Sequence, residues 1–598
     1  MINLNTHFFS LVRRTIGLAI GLVAIAIVSG CSADNLKTES AQVPQIVLGQ
    51  ISDPKTFNAA LSQESPNIFG YVYEGLLTSN GQAEIEPGIA EALPEISADK
   101  KKIVFTLREG LKWSDGEPIT ADDVVFSFQD IYLNDKIPAP TGDVLRIGES
   151  GTRPTVKKLD DRRVEFTLPE PFSPVIRAMG GAEILPAHIL RESVETLDDK
   201  GNPLFLSTWG TNTPPEKLVV NGPYQLKEYI PSQRLIFERN PYYWRKDDAG
   251  KALPNIDRII WQIVENQDTQ LLQFRSGGLT SISVSPPYFS LLKREEERGN
   301  FTIHEDGPAM GTTFITFNLN KAKDEKGNPL VNPVKSAWFN NLNFRKAIAY
   351  SIDRQTMINN IYRGLGSLQH SPISVPSPYY LSPEEGLPTY NYDLEKAKQL
   401  LLEAGFKYNN LGQLEDAGGN RVQFELVTNS GNQIREAIGV QIQQDLAKIG
   451  IKVDFQPIAF NTLVTKIQDS LNWECHLIGF TGGVEPHGGT TIWSTEGRLH
   501  SFNQNREDPP IVGREIADWE REIAQLYIRG AQEFDEAKRK EIYGKTQILA
   551  QENLPFIYLV NPFSMAAVRN TVENLQFSAL GGAFWNIYEL DVAEEPQE

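Results

Sequence analysis

Alternating apolar and polar residues in the first half of the chain predict strands. Three segments place an apolar side chain at every second position, which is the period of a strand with one buried face. They are "KKIVFTLREG" (Ile103, Phe105, Leu107), "RRVEFTLPE" (Val164, Phe166, Leu168) and "RIIWQIVEN" (Ile259, Trp261, Ile263). Gly, Pro and Asp interrupt the sequence between them, so we expect this half to be rich in strands.

From about residue 340 the apolar residues follow a helical period. "NFRKAIAYSIDRQTMINNIY" places Phe344, Ile348 and Ile352 near one helical face, after the candidate N-caps Asn341 and Asn343. "YDLEKAKQLLLEAGF" repeats the pattern, with its own capping Asp at the start and a Gly at its end. A further helix is expected near the C-terminus, followed by a buried strand in "LPFIYLV".

The segment 421–457 predicts a βαβ unit. "VQFELV" alternates like a strand, "IREAIGVQIQQDLAKIG" has helical spacing, and "IKVDFQP" alternates again. Strand, helix and strand in so short a stretch favour two parallel strands joined by a crossover helix. We therefore expect the second half of the chain to be an α/β domain.

An apolar run near the start predicts an export signal. Arg13 and Arg14 precede an uncharged stretch, Thr15 to Val28, which is shorter than the ~20 apolar residues that span a bilayer. A basic start, a short apolar middle and small residues after it are typical of a secretory signal peptide, here residues 1–30. The "VSGC" at its end resembles the bacterial lipobox, in which the cysteine, here Cys31, carries a diacylglycerol thioether. The alternative is an ordinary signal peptide with an incidental cysteine.

The residues after the signal support a tethered, exported protein. Residues 31–45 are polar and lack apolar periodicity, so we expect a flexible leash. The body should then lie at the outer face of the cytoplasmic membrane or in the periplasmic space, anchored by lipid. Removing residues 1–30 takes away two arginines and changes the net charge from −19 to −21, which disfavours nucleic acid as a partner.

Motifs for catalysis and for metal binding are weak. "IGESGT" fails the G-x-S-x-G pattern because Thr152 replaces the last Gly, and "GKT" at 544–546 fails as a phosphate loop because Arg539 stands at the leading Gly position. Apart from Cys31 the chain has one cysteine, Cys475, which we interpret as a buried free thiol. No catalytic residue, metal ligand or cofactor is predicted.

Three histidines leave a metal or metal chelate open as an alternative. They are His476, His487 and His500, and their spacing does not favour local metal ligation. We expect them to line a polar site or to lie at the surface.

A long block resembles a known family. "IAEALPEISADKKKIVFTLREGLKWSDGEPITADDVVFSF" (89–128) closely resembles the signature of the family 5 extracellular solute-binding proteins, which serve ABC importers for dipeptides, oligopeptides, nickel and some sugars. The block reads as a strand, an Asp-Gly turn at Asp115-Gly116 and a helix capped by Thr120. Further blocks that look like this family lie at 221–244, 344–354, 392–406, 438–455 and 554–562.

The resemblance implies an α/β fold of the type II periplasmic-binding-protein class, with two lobes and hinge strands between them. An additional domain is implied within the N-terminal lobe. Mapped onto this chain, the N-terminal lobe comprises 46–80, 205–312 and 555–598, the inserted domain 81–204, and the C-terminal α/β lobe 313–554. The strands near "TTFITFNL" and "LPFIYLV" would form the hinge.

The resemblance also implies a function. Ligand enters the cleft, the lobes close over it, and the closed monomer docks on the permease subunits of an ABC importer. Peptide-binding members pair their main chain with that of an oligopeptide. The segments that resemble the pairing ones are "LSQESPN", with Gln63 and Ser65, and "IGFTGGVEPHGG" (478–489).

The second segment departs from the family at one position. Dipeptide and oligopeptide receptors usually carry an Asp four residues before the Pro, where it neutralises the ligand ammonium. Pro486 matches, but Gly482 stands in place of that Asp. Leaving a buried ammonium unpaired costs several kcal/mol, so another acid serves or the ligand differs. Glu485 is the nearest substitute, and the alternative is that it faces solvent.

The other implied ligand contacts lie close by. Phe480 occupies the place of an aromatic residue that lines the family's cleft, next to Thr481, and Trp493 either adds a second wall or belongs to the core. Gly482 and Gly483 either let a ligand backbone approach or serve a tight turn. Alternative ligands are an oligosaccharide or a metal chelate, and a secreted hydrolase or a structural lipoprotein is the less favoured class.

The lipid anchor gives the first prediction. We expect Cys31→Ala to move the protein from the membrane fraction to the soluble fraction of cells, because the thioether has no other attachment site. Immunoblotting of separated fractions measures this. Cys475→Ala is the matched control and should leave the distribution unchanged, whereas a Cys31→Ala protein that stays with the membranes contradicts the lipobox interpretation.

Overall fold

The computed structural model describes residues 43–62, 66–148, 150–264, 266–506 and 509–593. The predicted signal peptide, Cys31 and most of the leash lie outside these residues, and so do Gln63 and Ser65. Within them, no helix combines the length and apolar character needed to cross a membrane.

The strands are numbered in chain order. They are β1 Gln45–Gln50, β2 Leu77–Ser79, β3 Ile85–Pro87, β4 Glu95–Ile96, β5 Lys102–Thr106, β6 Thr155–Lys158, β7 Arg163–Thr167, β8 Tyr224–Ile230, β9 Arg234–Arg239, β10 Arg258–Ile263, β11 Ser281–Ser283, β12 Phe301–Pro308, β13 Thr312–Phe317, β14 Gly366–Leu368, β15 Lys407–Tyr408, β16 Leu414–Glu415, β17 Gln423–Asn429, β18 Lys452–Ile458, β19 Cys475–Phe480, β20 Phe556–Tyr558, β21 Val560–Arg569, β22 Val572–Glu573 and β23 Asp591–Val592. The three strands predicted from alternation are confirmed as β5, β7 and β10.

The longer helices lie in the second half. The α-helices are Phe69–Val72, Ala121–Val125, Pro140–Val144, Val175–Gly180, Ala187–Glu195, Gln267–Arg275, Pro286–Lys293, Glu296–Gly299, Pro333–Asn340, Leu342–Ser351, Arg354–Asn360, Leu394–Glu403, Gln433–Ala447, Phe460–Val464, Thr490–Trp493, Asp518–Gln532 and Glu536–Asn553. Two π-helical segments, Phe126–Tyr132 and Thr465–Ser470, each continue a short α-helix.

An eight-stranded sheet organises the first part of the chain. Its order is β12-β21-β11-β1-β10-β9-β8, with β14 also paired to β21. β1 runs parallel to β10 and β11, whereas β8, β9 and β10 form antiparallel pairs. A separate four-stranded sheet, β4-β5-β7-β6, comes from residues 95–167. One continuous apolar core joins these two sheets, since buried side chains of both, such as Ile46 and Phe166, belong to it.

A five-stranded sheet organises the second part. Its order is β18-β17-β19-β13-β20. β17 and β18 pair in parallel over seven residues, and the helix Gln433–Ala447 connects them, so the predicted βαβ unit is confirmed. The apolar face of this helix, including Ile438, Ile442 and Leu446, is buried in a second core.

The chain passes between the two large sheets at adjacent places. β12 belongs to the eight-stranded sheet and the next strand, β13, to the five-stranded sheet. β20 and β21 make the reverse passage, so "LPFIYLV" forms two strands rather than the single one that its pattern predicts. The two passages lie side by side because β12 pairs with β21 and β13 pairs with β20. The hinge role of these strands and the domain boundaries stay predictions.

Local capping signals place several helices. The Asn341 side chain accepts hydrogen bonds from the first turn of the helix Leu342–Ser351, and Thr120 and Asp123 form a capping box at the helix Ala121–Val125. The single helical face predicted beyond residue 343 is interrupted, because Ile352 has an extended backbone and Asp353 caps a second helix, Arg354–Asn360.

Arg354 ties this second helix to the chain passage. Its side chain is 6% exposed and donates to the carbonyl oxygens of Tyr558 at 2.7 Å, Ala349 at 2.9 Å and Tyr390 at 3.1 Å. Burial lowers the pKa of Arg354 to about 10, which still leaves it charged at neutral pH. The guanidinium therefore satisfies three main-chain acceptors that are remote from one another in sequence.

We predict that Arg354→Met lowers the free energy of unfolding by about 3 kcal/mol, because the apolar side chain leaves buried carbonyl oxygens without donors. Urea unfolding followed by circular dichroism measures the change. Arg421→Met, at an exposed position, is the matched control. Equal unfolding midpoints for the two variants would contradict this account of Arg354.

Candidate functional site

The loop after β19 forms the candidate site. β19 pairs with β13 up to the Thr312 and Phe480 pair, and the chain then leaves the sheet. The Phe480 ring is partly exposed, and its centroid lies 4.8 Å from that of Phe314 and 6.1 Å from that of Phe556. Thr481, Gly482 and Gly483, the next three residues, are exposed.

The backbone at Gly482 leaves no room for the Asp that the family pattern predicts. Its φ is +69°, a conformation that favours glycine. A Cβ there would lie 2.9 Å from the Gly311 nitrogen and 3.0 Å from Ser374 Oγ. Gly311 itself has φ +111°, and a Cβ on it would lie 2.8 Å from the Phe480 carbonyl oxygen. The loop thus packs directly on the passage from β12 to β13, with no room for a side chain at either position.

Ser374 fixes this close approach. Its hydroxyl accepts from the Gly311 N–H at 2.9 Å and donates to the Gly311 carbonyl at 3.0 Å. Ser377, one turn further along, donates to the Val484 carbonyl at 3.4 Å. The segment 374–377 therefore holds both the passage and the loop.

The sequence left two roles open for Glu485, as the partner of a ligand ammonium or as a residue that faces solvent. In the structure it is half-buried and is already paired within the protein. Its Oε1 accepts from the His487 N–H at 3.0 Å, which caps the short 3₁₀ turn Pro486–Gly489. Its two oxygens also face the Arg539 guanidinium, with Nη1 donating to Oε2 at 3.0 Å and Nη2 donating to Oε1. The carboxylate charge is therefore already paired within the protein.

Arg539 is buried behind the loop. Its side chain is 6% exposed, and it also donates to the Gly530 carbonyl at 2.9 Å and to the Tyr379 hydroxyl at 2.5 Å. Burial acts to lower the pKa of Arg539, but the Glu485 charge more than offsets that effect and the pKa is raised. The pair is a buried bidentate salt bridge, a geometry that arginine and carboxylate favour.

The two halves of the chain touch beside this loop. The Phe172 ring packs edge-on against His487, with centroids 4.9 Å apart, and the Ser173 N–H donates to the Ala531 carbonyl at 2.6 Å. Gln532 adds a hydrogen bond of 3.2 Å to Glu170. Burial lowers the pKa of His487 to about 4, so its ring is neutral against Phe172 at neutral pH.

Trp493 belongs to the core and does not form a second wall of the cleft, which were the two roles considered for it. It is 3% exposed, and its ring centroid lies 5.7 Å from that of Phe556 and 6.3 Å from that of Phe502. It has almost no surface to offer a ligand in this conformation. Cys475 is fully buried and free, as predicted.

Two of the three histidines are not at the surface or in a polar lining, so that prediction is wrong for them. His476 is fully buried between Trp473 and Phe314, and burial lowers its pKa to about 3. His500 is 1% exposed and its Nε2 lies 3.0 Å from Glu520 Oε2. In the described ranges no three His, Cys, Asp or Glu side chains form a group that could hold a metal ion.

Sequence reasoning missed the residues that support the loop from outside it. Ser374 and Phe172 are remote in sequence and carry no motif. Arg539 gave a signal that could have been used, since it is the charged member of a helical face otherwise made of Tyr543, Gln547 and Ala550, all of which are buried. A lone arginine on a buried face requires a partner, which could have led to Glu485.

Comparisons with known proteins agree with the geometry. The model of the family "Bacterial extracellular solute-binding proteins, family 5 Middle" matches residues 84–498, more than half of the chain. A protein of Deinococcus radiodurans named as a probable ABC transporter-binding protein is 30% identical over 531 residues, covering 85% of this chain and 85% of its own.

Two solved structures share the fold. The oligopeptide-binding protein AppA of Bacillus subtilis, in complex with a nonapeptide, has a TM-score of 0.69 and 22% identity, covering 92% of this chain and 99% of its own. The periplasmic binding protein MelB of Agrobacterium fabrum, in complex with stachyose, has a TM-score of 0.72 and 20% identity, covering 93% and 85%. The fold is therefore that of the type II periplasmic binding proteins. The chain belongs to the family 5 bacterial extracellular solute-binding proteins, the solute receptors of ABC transporters.

Proposed function

We propose that the protein is a lipid-anchored receptor that binds oligopeptides and delivers them to an ABC importer. Members of its family act outside the cytoplasm, in the extracellular or periplasmic space. Cys31 carries the anchor, residues 46–80, 205–312 and 555–598 form one lobe around an inserted domain at 81–204, and residues 313–554 form the other. The lobes close over the ligand as a monomer without changing it chemically.

The main chain of the loop after β19 is the observation that carries the peptide assignment. Gly482 and Gly483 are exposed, and their N–H and C=O groups form no hydrogen bond with any described residue. Main-chain groups normally find partners in a folded protein or in solvent. A peptide that adds as an extra strand supplies donors and acceptors to such groups, independently of its side chains.

The surroundings of the loop suit an extended ligand. Phe480 offers a partly exposed ring beside the free main chain, and neither glycine has a side chain that would keep a ligand at a distance. Phe172 contacts His487 at the far side of the same loop, and Ser173 bonds to Ala531 in the helix Asp518–Gln532, so the closing halves have a place to meet. We include Phe480, Thr481, Gly482 and Gly483 in the proposed site, with Gln63 and Ser65 from the other lobe.

A neutral solute such as an oligosaccharide is the second candidate. Gly482 replaces the ammonium-binding Asp, and the only acid on the loop, Glu485, is bound to Arg539. The loop therefore presents no free negative charge. An aromatic ring next to uncharged polar groups is also a surface on which a sugar can stack.

The pairing with Arg539 changes the role that we propose for Glu485. The Glu485 carboxylate already neutralises the buried Arg539 guanidinium. If it bound a ligand ammonium instead, the Arg539 charge would be left buried without a counter-charge. We propose that Glu485 braces the loop: it joins the turn at Pro486 to the helix Glu536–Asn553 and so fixes the position of the free main chain two residues earlier.

We predict that Glu485→Gln lowers the free energy of unfolding of the ligand-free protein by about 2 kcal/mol, because it leaves Arg539 buried without a counter-charge. Thermal unfolding of the purified variants measures this. The matched control is Glu541→Gln, which removes a carboxylate from an exposed pair on the same helix and should have little effect. Unchanged stability together with weaker binding of cationic ligands would instead make Glu485 a ligand counter-ion.

We predict that a mixed pool of peptides of two to eight residues raises the unfolding temperature of the purified protein, since a ligand that binds only the folded state stabilises it. A parallel pool of neutral oligosaccharides tests the second candidate. Stabilisation by the oligosaccharides and not by the peptides would reject the peptide assignment. Mass spectrometry of small molecules that co-purify with the protein identifies the ligand directly.

A further inference from the structure

A cavity of about 320 Å³ lies in the first part of the chain, away from the loop after β19. It is enclosed by the helix Phe69–Val72, the helix Val175–Gly180 and the segment 585–588, and none of residues 481–489 lines it. Gly70, Ser79 and Gly181 also line it and are exposed, so the cavity opens to solvent on their side. The volume is sufficient for a small organic molecule.

One wall of the cavity carries a carboxylate without a partner. No described residue donates a hydrogen bond to the Glu183 carboxylate or forms an ion pair with it, apart from its own backbone N–H. The nearby hydroxyl groups are used elsewhere: Tyr73 donates to the Val219 carbonyl at 3.2 Å, and Tyr132 donates to the Glu183 carbonyl at 2.7 Å. Burial raises the pKa of Glu183, which is the response of a carboxyl group that lacks a counter-charge.

The other carboxylate that lines the cavity, Glu74, already has partners. Glu74 accepts from the Tyr243 hydroxyl at 2.5 Å, from Trp244 Nε1 at 2.6 Å and from Arg245 Nε at 3.3 Å. Arg177 donates to Ser79 Oγ at 3.3 Å and to the Ala83 carbonyl at 2.8 Å, and it forms no ion pair with Glu183. Among the carboxylates of the lining, Glu183 is thus the one whose charge the surrounding described residues leave unpaired, and Arg177 contacts only uncharged acceptors there.

The remaining walls favour an organic cation over a hydrated ion. Four aromatic side chains line the cavity, namely Phe69, Tyr73, Trp585 and Tyr588. Aromatic faces attract organic cations, and a single carboxylate supplies too few oxygens for a metal ion. At one side of the cavity the backbone packs closely, since a Cβ on Gly75 would lie 2.4 Å from the Gly180 carbonyl oxygen.

We propose that this cavity binds the primary ammonium group of a small organic ligand, with Glu183 as the counter-ion and the aromatic side chains as walls. The ammonium belongs either to a free amine or to the amino terminus of a peptide. The proposal stands independently of what the loop after β19 binds, because the two sets of residues do not overlap.

Isothermal titration calorimetry of the purified full chain tests the proposal with four probes: n-butylamine, putrescine, tetra-alanine and N-acetyl-tetra-alanine. We expect at least one probe with a free ammonium to bind, Glu183→Gln to weaken it by tenfold or more, and acetylation to weaken tetra-alanine similarly. Glu195→Gln, at an exposed position of the neighbouring helix Ala187–Glu195, is the matched control and should bind like the unmodified protein. Binding of the two amines indicates a free amine as ligand, and binding of tetra-alanine alone indicates an amino terminus.

A second variant blocks the cavity without changing its charge. Gly70→Phe adds a ring at the rim, where a Cβ would have no neighbour within 4 Å, and we expect it to weaken the same probe. Thermal unfolding confirms that both variants fold. The proposal is overturned if none of the ammonium probes binds the unmodified protein, or if Glu183→Gln binds them equally well. Peptide binding that persists unchanged in Glu183→Gln, while neither amine binds the unmodified protein, would overturn this proposal and leave the proposed function intact.

Discussion

The paired passage of the chain between the two large sheets is the constraint on which the rest of the structure depends. β12 pairs with β21 in one sheet, and β13 pairs with β20 in the other. The two short segments that cross between the sheets therefore lie next to each other. Two hydrogen bonds span it, from the Ala309 N–H to the Pro562 carbonyl at 2.8 Å and from the Leu559 N–H to the Thr313 carbonyl at 2.9 Å. Relative motion of the two halves must therefore bend the chain near Gly311 and Leu559, since the strands on either side are held in ladders.

The candidate ligand loop is built onto this same connection. Gly482 lies against Gly311 with no space for a Cβ, and Ser374 bonds to both main-chain groups of Gly311. Under the proposed function, a ligand that orders the main chain at Gly482 and Gly483 acts next to Gly311, a residue of the proposed hinge. The Glu485 and Arg539 pair fixes the other end of the loop to the long helix Glu536–Asn553. In a receptor that closes over its ligand, this arrangement joins occupancy to domain movement.

The parts of the fold that could be predicted from the sequence are those determined by neighbours in sequence. Alternation identified β5, β7 and β10, and the N-caps Asn341 and Asp393 were identified by residue type and spacing. The interruption at Ile352 could not be predicted, because the buried interactions of Arg354 with remote carbonyl oxygens stabilise the second helix there. The burial of His476 was missed for a similar reason: its aromatic neighbour Phe314 comes from another strand.

The same limit applied to the candidate site. The family pattern located the loop and the replacement of Asp by Gly482, but the contacts that leave no room for a side chain there come from Gly311 and Ser374, which approach it only in three dimensions. Glu485 was identified as the nearest acid from its sequence position alone. Its partner Arg539 is 54 positions away along the chain, and no spacing rule connects the two.

The buried charges of this protein differ in how they are satisfied, and the difference separates structural groups from candidate binding groups. Arg345 donates to the Asn553 carbonyl, at the end of a long helix where a positive charge is favourable, and Arg354 likewise uses only main-chain acceptors. Arg539 uses a carboxylate. Each arrangement compensates the loss of hydration and stabilises one conformation. Glu183 lacks such compensation, although aromatic side chains and an opening to solvent surround it. Glu183 is half-buried, and an unpaired carboxylate in that state lowers stability unless a ligand offsets the cost, which is why we interpret Glu183 as a binding group and the three arginines as structural ones.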